Sequence, residues 1–303
     1  MSNGLPNPST FLFGATSILG WNLMRMDTGK RITPFCNPYT RNETCVPWRR
    51  LRIENEKELR RLFTCEQPDV LIHCGGICDV EKCQQSPEWA WEINVKSVER
   101  LLRVLPKKTR FVYCSSDHVF SDSAEAYLES DRPRPISIYG QTRVEAERRI
   151  LASREEALVI RPALAIGPSI DGRTGHLDWL AYRSRKHLPI TIVEDEHRSA
   201  VWVEDLAARV WSLANSLVTG IRHVPATQVV SRPSLAQFLN QRFQLGATFT
   251  TVNRKDRKVP HPGRIELETE YCDTLSSPLP CPMDTPIRTP EIVAHSVLES
   301  HLT

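Results

Sequence analysis

The sequence lacks the features that mark membrane-bound, secreted or nucleic-acid-binding chains. No run approaches the ~18 consecutive apolar residues of a membrane span, and the first nine residues are polar and broken by proline instead of forming a signal core. Charge of one sign is also missing. The 39 Lys and Arg against 36 Asp and Glu leave a net +3, too weak a bias for nucleic acid or an acidic membrane surface. Nine cysteines, an odd number without a Cys-x-x-Cys pair, argue against a secreted disulfide framework. Cys74, Cys78 and Cys83 stand close together, but no second ligand pair follows at zinc-site distance and Cys74 ends an apolar run, so no metal is expected. The expectation is a cytoplasmic protein with a small-molecule partner, no nucleic-acid or membrane partner, and homodimer formation left open.

What is present is a chain of ordinary hydrophobic content, 40% over 303 residues, enough for a large α/β domain with a smaller lobe. Short apolar runs alternate with helical periodicity. Strands are expected at 10–13, 31–35, 50–53, 69–73, 110–114 and 157–160, and helices at 18–26, 56–63, 87–104 and 139–151. Within 87–104, Trp91, Val95, Val98 and Leu102 fall on one side. This alternation predicts a Rossmann-type, doubly wound parallel sheet with helices on both faces. Further on, strands at 190–193 and 200–203, a helix at 204–217 and a capping box at Ser234-Leu-Ala-Gln237 opening another are expected, then irregular structure over the proline-rich 254–290. Residues 1–165 read as a nucleotide-binding domain, and 166–303 as a smaller C-terminal substrate-binding lobe interleaved with the last strands.

Gly14-Ala-Thr-Ser-Ile-Leu-Gly20 lies between the first strand and first helix. A helix N-terminus offers unpaired N–H groups and a positive dipole end to a pyrophosphate, and glycines allow close approach. Gly14, Thr16, Ser17, Ile18, Leu19 and Gly20 are therefore expected cofactor contacts, with Ser17 where the short-chain pattern has its middle glycine. After the second strand, Cys36-Asn-Pro-Tyr-Thr-Arg41 carries no acid for a ribose 2′-hydroxyl. Arg41 suits a 2′-phosphate or is a solvated loop residue, so NADP(H) is preferred with NAD(H) still open.

Two segments supply chemistry. Tyr113-Cys-Ser-Ser-Asp-His-Val-Phe120 ends a strand with adjacent hydroxyls, and Ile138-Tyr-Gly-Gln-Thr-Arg143 opens a helix with Tyr139 and Arg143 one turn apart. A phenol beside a fixed cation is a reasonable proton donor, and the charge is expected to lower its pKa from about 10.

With these segments, the chain resembles the dTDP-4-dehydrorhamnose reductase branch of the extended short-chain dehydrogenases. Asp69-Val-Leu-Ile-His73, Trp91-Glu-Ile-Asn-Val95, Arg161-Pro-Ala-Leu-Ala-Ile-Gly-Pro168 and Val203-Glu-Asp-Leu-Ala207 extend the likeness. The resemblance implies Ser116 as the catalytic hydroxyl, Tyr139 as proton donor and Arg143 in place of the family's lysine. It implies Asn94 as support for the site, and Cys74, Gly75, Gly76 and Pro162 beside the cofactor. His118, Val119 and Arg198 join Ser116 as substrate contacts, Arg198, ahead of an expected strand, either meeting the sugar-nucleotide pyrophosphate or being a solvated loop residue. Arg52 stands where many relatives have an aspartate near the adenine. The function implied is reduction of a ketone, foremost a 4-keto-deoxysugar nucleotide. A cofactor-binding regulatory subunit without turnover is the main alternative, and the family includes one such member, the regulatory β subunit of methionine adenosyltransferase. An epimerase, a dehydratase or a tailoring reductase of a non-sugar ketone also remains.

Overall fold

The protein is described by a computed structural model over residues 8–27, 29, 31–39 and 48–285. In chain order its elements are β1 (Thr10–Phe13), α1 (Ile18–Met26), β2 (Ile32–Cys36), β3 (Arg49–Arg50), α2 (Glu56–Cys65), β4 (Val70–His73), α3 (Val80–Gln85), α4 (Pro87–Trp91), α5 (Ser97–Val104), β5 (Arg110–Cys114), α6 (Ile138–Ser153), β6 (Leu158–Pro162) and β7 (Leu164–Ile166). Then come α7 (His176–Arg185), β8 (Thr191–Val193), β9 (His197–Trp202), α8 (Val203–Ala214), β10 (Gly220–Val224), β11 (Val229–Ser231), α9 (Arg232–Arg242), β12 (Thr250–Val252) and β13 (Arg264–Ile265).

Seven strands make one parallel sheet in the order β10-β6-β5-β4-β1-β2-β3. Side chains alternate across it, as the pleat requires. Leu12, Ile72, Val112 and Ile160 pack with Leu19 and Leu23 of α1 and Leu206 and Val210 of α8. Phe11, Phe13, Leu71 and Phe111 point the other way, onto Leu59 of α2, Leu101 of α5 and Ile150 of α6. Both faces are thus covered, which is why the strands read as unbroken apolar runs. The strand order reverses between β1 and β4, and ligands of such sheets bind outside the carboxyl ends at that switch.

A second group of short strands centres on β9, which pairs in parallel with β7 and β13 and antiparallel with β11, while β8 pairs with β12. Its core contains Ile166, Leu177, Leu180, Ile192, Leu235 and Leu239. The proline-rich stretch is irregular, as expected, yet packed: Leu267 and Cys281 are buried and Leu279 bridges to Ala226.

Several local expectations are corrected. The third strand is two residues long and ends at Arg50. Residues 87–104 are helical throughout, but a π-helical turn at Glu92–Lys96 interrupts them and carries Asn94. The helix expected from Ser234 starts earlier, because Ser231 is the cap and accepts from the Ser234 amide. Among the described residues no helix is long and apolar enough to cross a membrane.

Candidate active site

The cradle forms where β1 and β4 end side by side. Gly14 has φ +83, and a Cβ on it would lie 2.4 Å from the Gly75 amide nitrogen and 2.6 Å from the Cys74 carbonyl carbon. A Cβ on Gly20 would lie 2.3 Å from the Gly14 carbonyl oxygen. The two turns therefore touch backbone to backbone, and only glycine permits it. Ser17 has ordinary extended backbone and caps α1, its hydroxyl accepting from the Gly20 amide at 3.0 Å. Its side chain is turned back onto the helix start and satisfies one donor. The amides of Ile18 and Leu19, which a helix cannot pair internally, are then the groups suited to an anion. Leu19 itself is buried in the core, so only its backbone is in question, while Thr16 is half-buried in the same loop. This glycine-walled notch at a helix start fits a dinucleotide's pyrophosphate.

The loop after β4 is held from below. His73 accepts from the Gly75 amide through Nδ1 at 3.3 Å, and burial pushes its pKa down to about 3, so it is neutral. Asn94 accepts from the Ile77 amide at 2.7 Å and donates to the Ile77 carbonyl and to Thr142 Oγ1, each at 3.0 Å. Thr142 in turn donates to the Tyr139 carbonyl at 2.7 Å. Asn94 thus couples the cradle loop to the start of α6.

The structure brings Ser116, Tyr139 and Arg143 together beside this loop. Ser116 donates to Asp117 Oδ1 at 3.2 Å and accepts from the His118 amide at 3.2 Å, and it is near enough to the Tyr139 phenol to favour the phenolate. Arg143 is buried, its guanidinium carbon 5.1 Å from the Tyr139 ring centre and its Nη1 donating to the Tyr113 hydroxyl at 2.9 Å. The expectation of a lowered tyrosine pKa is corrected. Burial raises the Tyr139 pKa and outweighs the opposing effects of Arg143 and Ser116. Burial also opposes charge on Arg143, but the neighbouring phenols outweigh it and its pKa is raised.

Two expected substrate contacts lie differently. Val119 is fully buried with Phe120, Ile265 and Leu267, which leaves it no face for a ligand. Arg198 lies inside β9, not in a solvated loop, and is 1% exposed. It stands 3.3 Å from Asp117 and 3.0 Å from Glu196, and its Nη1 donates to the carbonyls of His197 and Gly263. It thus stands behind Asp117, the carboxylate that accepts from Ser116. Glu196 also accepts from His261 at 3.1 Å and stands 4.0 Å from Arg232. Arg232, His261 and Arg198 together overcome burial and hold its pKa below the usual range. His118 is half-buried, its pKa pushed down to about 4 by burial, and Pro162 is half-buried at the end of β6.

Arg41 lies outside the described residues. Arg50, which sequence reasoning missed, ends β3 beside Cys36, the last residue of β2, and donates to the Pro38 carbonyl at 2.6 Å. With Tyr39, Arg49 and Arg52 it lines a groove of about 650 Å3. Arg49 and Arg52 are paired there with Glu66 and Glu58. Tyr113 and His73 were missed as well, although each follows an apolar run at or next to the carboxyl end of its strand.

The family description "RmlD substrate binding domain" matches residues 9–275. The chain is 32% identical over 118 residues to methionine adenosyltransferase 2 subunit beta of Xenopus laevis, covering 39% of this chain and 35% of that protein. It is 29% identical over 174 residues to dTDP-4-dehydrorhamnose reductase of Mycobacterium tuberculosis, covering 54% of this chain and 56% of that one. The aligned part thus spans about a third of the first relative's length and just over half of the second's. The solved dTDP-4-dehydrorhamnose reductase of Bacillus anthracis, in complex with NADP, superposes with a TM-score of 0.71 at 21% identity, covering 87% of this chain and 90% of that one. At that identity the likeness speaks for the fold.

Proposed function

The chain belongs to the RmlD substrate-binding-domain family, and from that premise we propose that it is an NADP(H)-dependent reductase of a 4-keto-deoxysugar nucleotide. The carrying observation is the meeting of Ser116, Tyr139 and Arg143 at the edge of the Gly14, Gly75 and Gly76 cradle. In this reading residues 1–165 hold the cofactor and 166–303 the substrate. The eight cysteines among the described residues are free, which fits a reducing compartment such as the cytoplasm.

When bound, the nicotinamide supplies the hydride. The rest falls to the protein. The amides of Ile18 and Leu19 would hold the pyrophosphate, and Arg143 would offer donors to the nicotinamide ribose. Ser116, its oxygen fixed by the His118 amide, would turn its one proton from Asp117 to the substrate ketone oxygen. Tyr139 gives that oxygen its proton, and its raised pKa keeps the proton in place until the oxygen becomes basic. Arg50 and Arg41 are assigned to the 2′-phosphate.

A second reading, a cofactor-binding regulatory subunit without turnover, has its own support. The lysine position is an arginine whose Nη1 already serves Tyr113 and the Gly75 carbonyl, and one relative is the methionine adenosyltransferase subunit. Single-turnover NADPH oxidation against a panel of 4-keto sugar nucleotides separates the two. Consumption above background supports the reductase, and a background rate with saturated cofactor leaves the regulator.

A further inference from the structure

A guanidinium is longer and flatter than the ammonium expected at position 143, so something must decide where its extra reach goes. Here a phenol does so. Tyr113, fully buried near the end of β5, accepts from Arg143 Nη1 at 2.9 Å, and the Gly75 carbonyl accepts from the same nitrogen at 3.4 Å. The guanidinium carbon lies 5.8 Å from the Tyr113 ring centre and 5.1 Å from that of Tyr139, so the cation is held between two phenols. With Nη1 turned inward, Nη2 faces the cradle. A Cβ built on Gly76, where φ is +122, would lie 3.0 Å from it.

We propose that Tyr113 is a positioning residue that makes an arginine serve in place of the lysine. Its hydroxyl anchors Nη1, which presents Nη2 to the hydroxyls of a ribose lying over Gly76 and keeps the charge beside Tyr139. Arg143 and Tyr113 thus work as a pair. A lysine alone, in this chain, would leave the buried Tyr113 hydroxyl without its partner. The inference rests on reading the cradle as a nicotinamide-dinucleotide site, but it does not require turnover.

The test is NADPH affinity by fluorescence titration for wild type, Tyr113→Phe, Arg143→Lys and the double variant, with thermal melting as a fold control. Tyr113→Phe removes one oxygen and keeps the shape. Each single change is expected to weaken NADPH binding by up to ~10-fold, the scale of one hydrogen bond. The double variant is expected to recover most of the loss, because a lysine over a phenylalanine needs no anchor. If the protein turns over, Tyr113→Phe also moves the alkaline limb of kcat upward as the charge leaves Tyr139. Wild-type affinity in Tyr113→Phe, or an Arg143→Lys effect indifferent to residue 113, overturns the proposal. Absent turnover with the coupled affinities intact sinks the reductase reading and leaves the pair standing.

Discussion

The imidazole of His118 meets the phenol of Tyr139 edge-on, ring centres 5.4 Å apart and planes at 66°. Both groups are held in their neutral forms by burial, the histidine with its pKa down at about 4 and the tyrosine with its pKa raised. Reduction is therefore expected to show a flat kcat from about pH 6 to about pH 9, with no limb from Tyr139 near neutrality. Tyr139→Phe should cost at least ~10²-fold in rate with cofactor affinity little changed. A pH–rate profile of both proteins checks this, and a Tyr139→Phe variant as fast as wild type removes the phenol from the mechanism.

The cradle separates two residues that look alike in the sequence. Gly14→Val places a branched carbon against the Gly75 backbone at a positive φ, so it should abolish dinucleotide binding and also lower Tm. Ser17→Ala only removes a helix cap, so it should cost about 1 kcal/mol of stability while binding persists. Calorimetric titration and thermal melting read both, and unchanged affinity in Gly14→Val would end the assignment of this loop.

Arg50 offers a test of cofactor choice. Titrated side by side, NADP(H) should bind more tightly than NAD(H), and Arg50→Ser should narrow the ratio by weakening only the 2′-phosphorylated form. The reverse order in wild type would show that the cations near β3 serve the fold alone.

Much of this was legible in the sequence because one-dimensional patterns set it. The apolar runs of β1, β4 and β5 and the helix over Ile18–Met26 follow from period and position, and the glycine loop follows from where it sits. Tyr139, Arg143 and Ser116 came from local motifs whose elements converge at one end of the sheet. What escaped depends on contacts between distant segments. The true state of Tyr139 is a balance of burial against charge, and no spacing reports burial. Arg198 looked like a loop cation because its two carboxylates, at 117 and 196, cannot be paired with it from sequence. Val119 follows a reactive-looking segment but faces Ile265 and Leu267, more than a hundred residues away.

Because Arg198 is enclosed, its removal should act on stability. Arg198→Ala leaves Asp117 and Glu196 buried without a cation they now share, a change that costs about 3 kcal/mol or more. The expected result is a lower midpoint in urea and a rate defect through Ser116. An Arg198→Ala protein of wild-type stability that binds nucleotide sugar poorly would restore the direct pyrophosphate role.

Acid should weaken the fold before it protonates the active site. His73 and His223 are buried and neutral, with pKa values pushed down to about 3 and about 4, in each case chiefly by burial. In the unfolded chain each titrates near ~6.5. Between those values the unfolded chain holds protons that the folded chain does not, so stability is full above about pH 6.5 and declines as the pH falls toward 4. Each histidine contributes up to ~1.4 kcal/mol per pH unit in that window. His73 matters twice, since its Nδ1 accepts from Gly75 and protonation removes that acceptor from beneath the cradle. Urea unfolding at pH 7, 6 and 5 should show falling stability in wild type and a shallower slope in His73→Gln, while NADPH affinity of wild type holds at least to pH 6. A wild-type unfolding free energy that stays level from pH 7 to pH 5 would mean that neither histidine is kept neutral by the core.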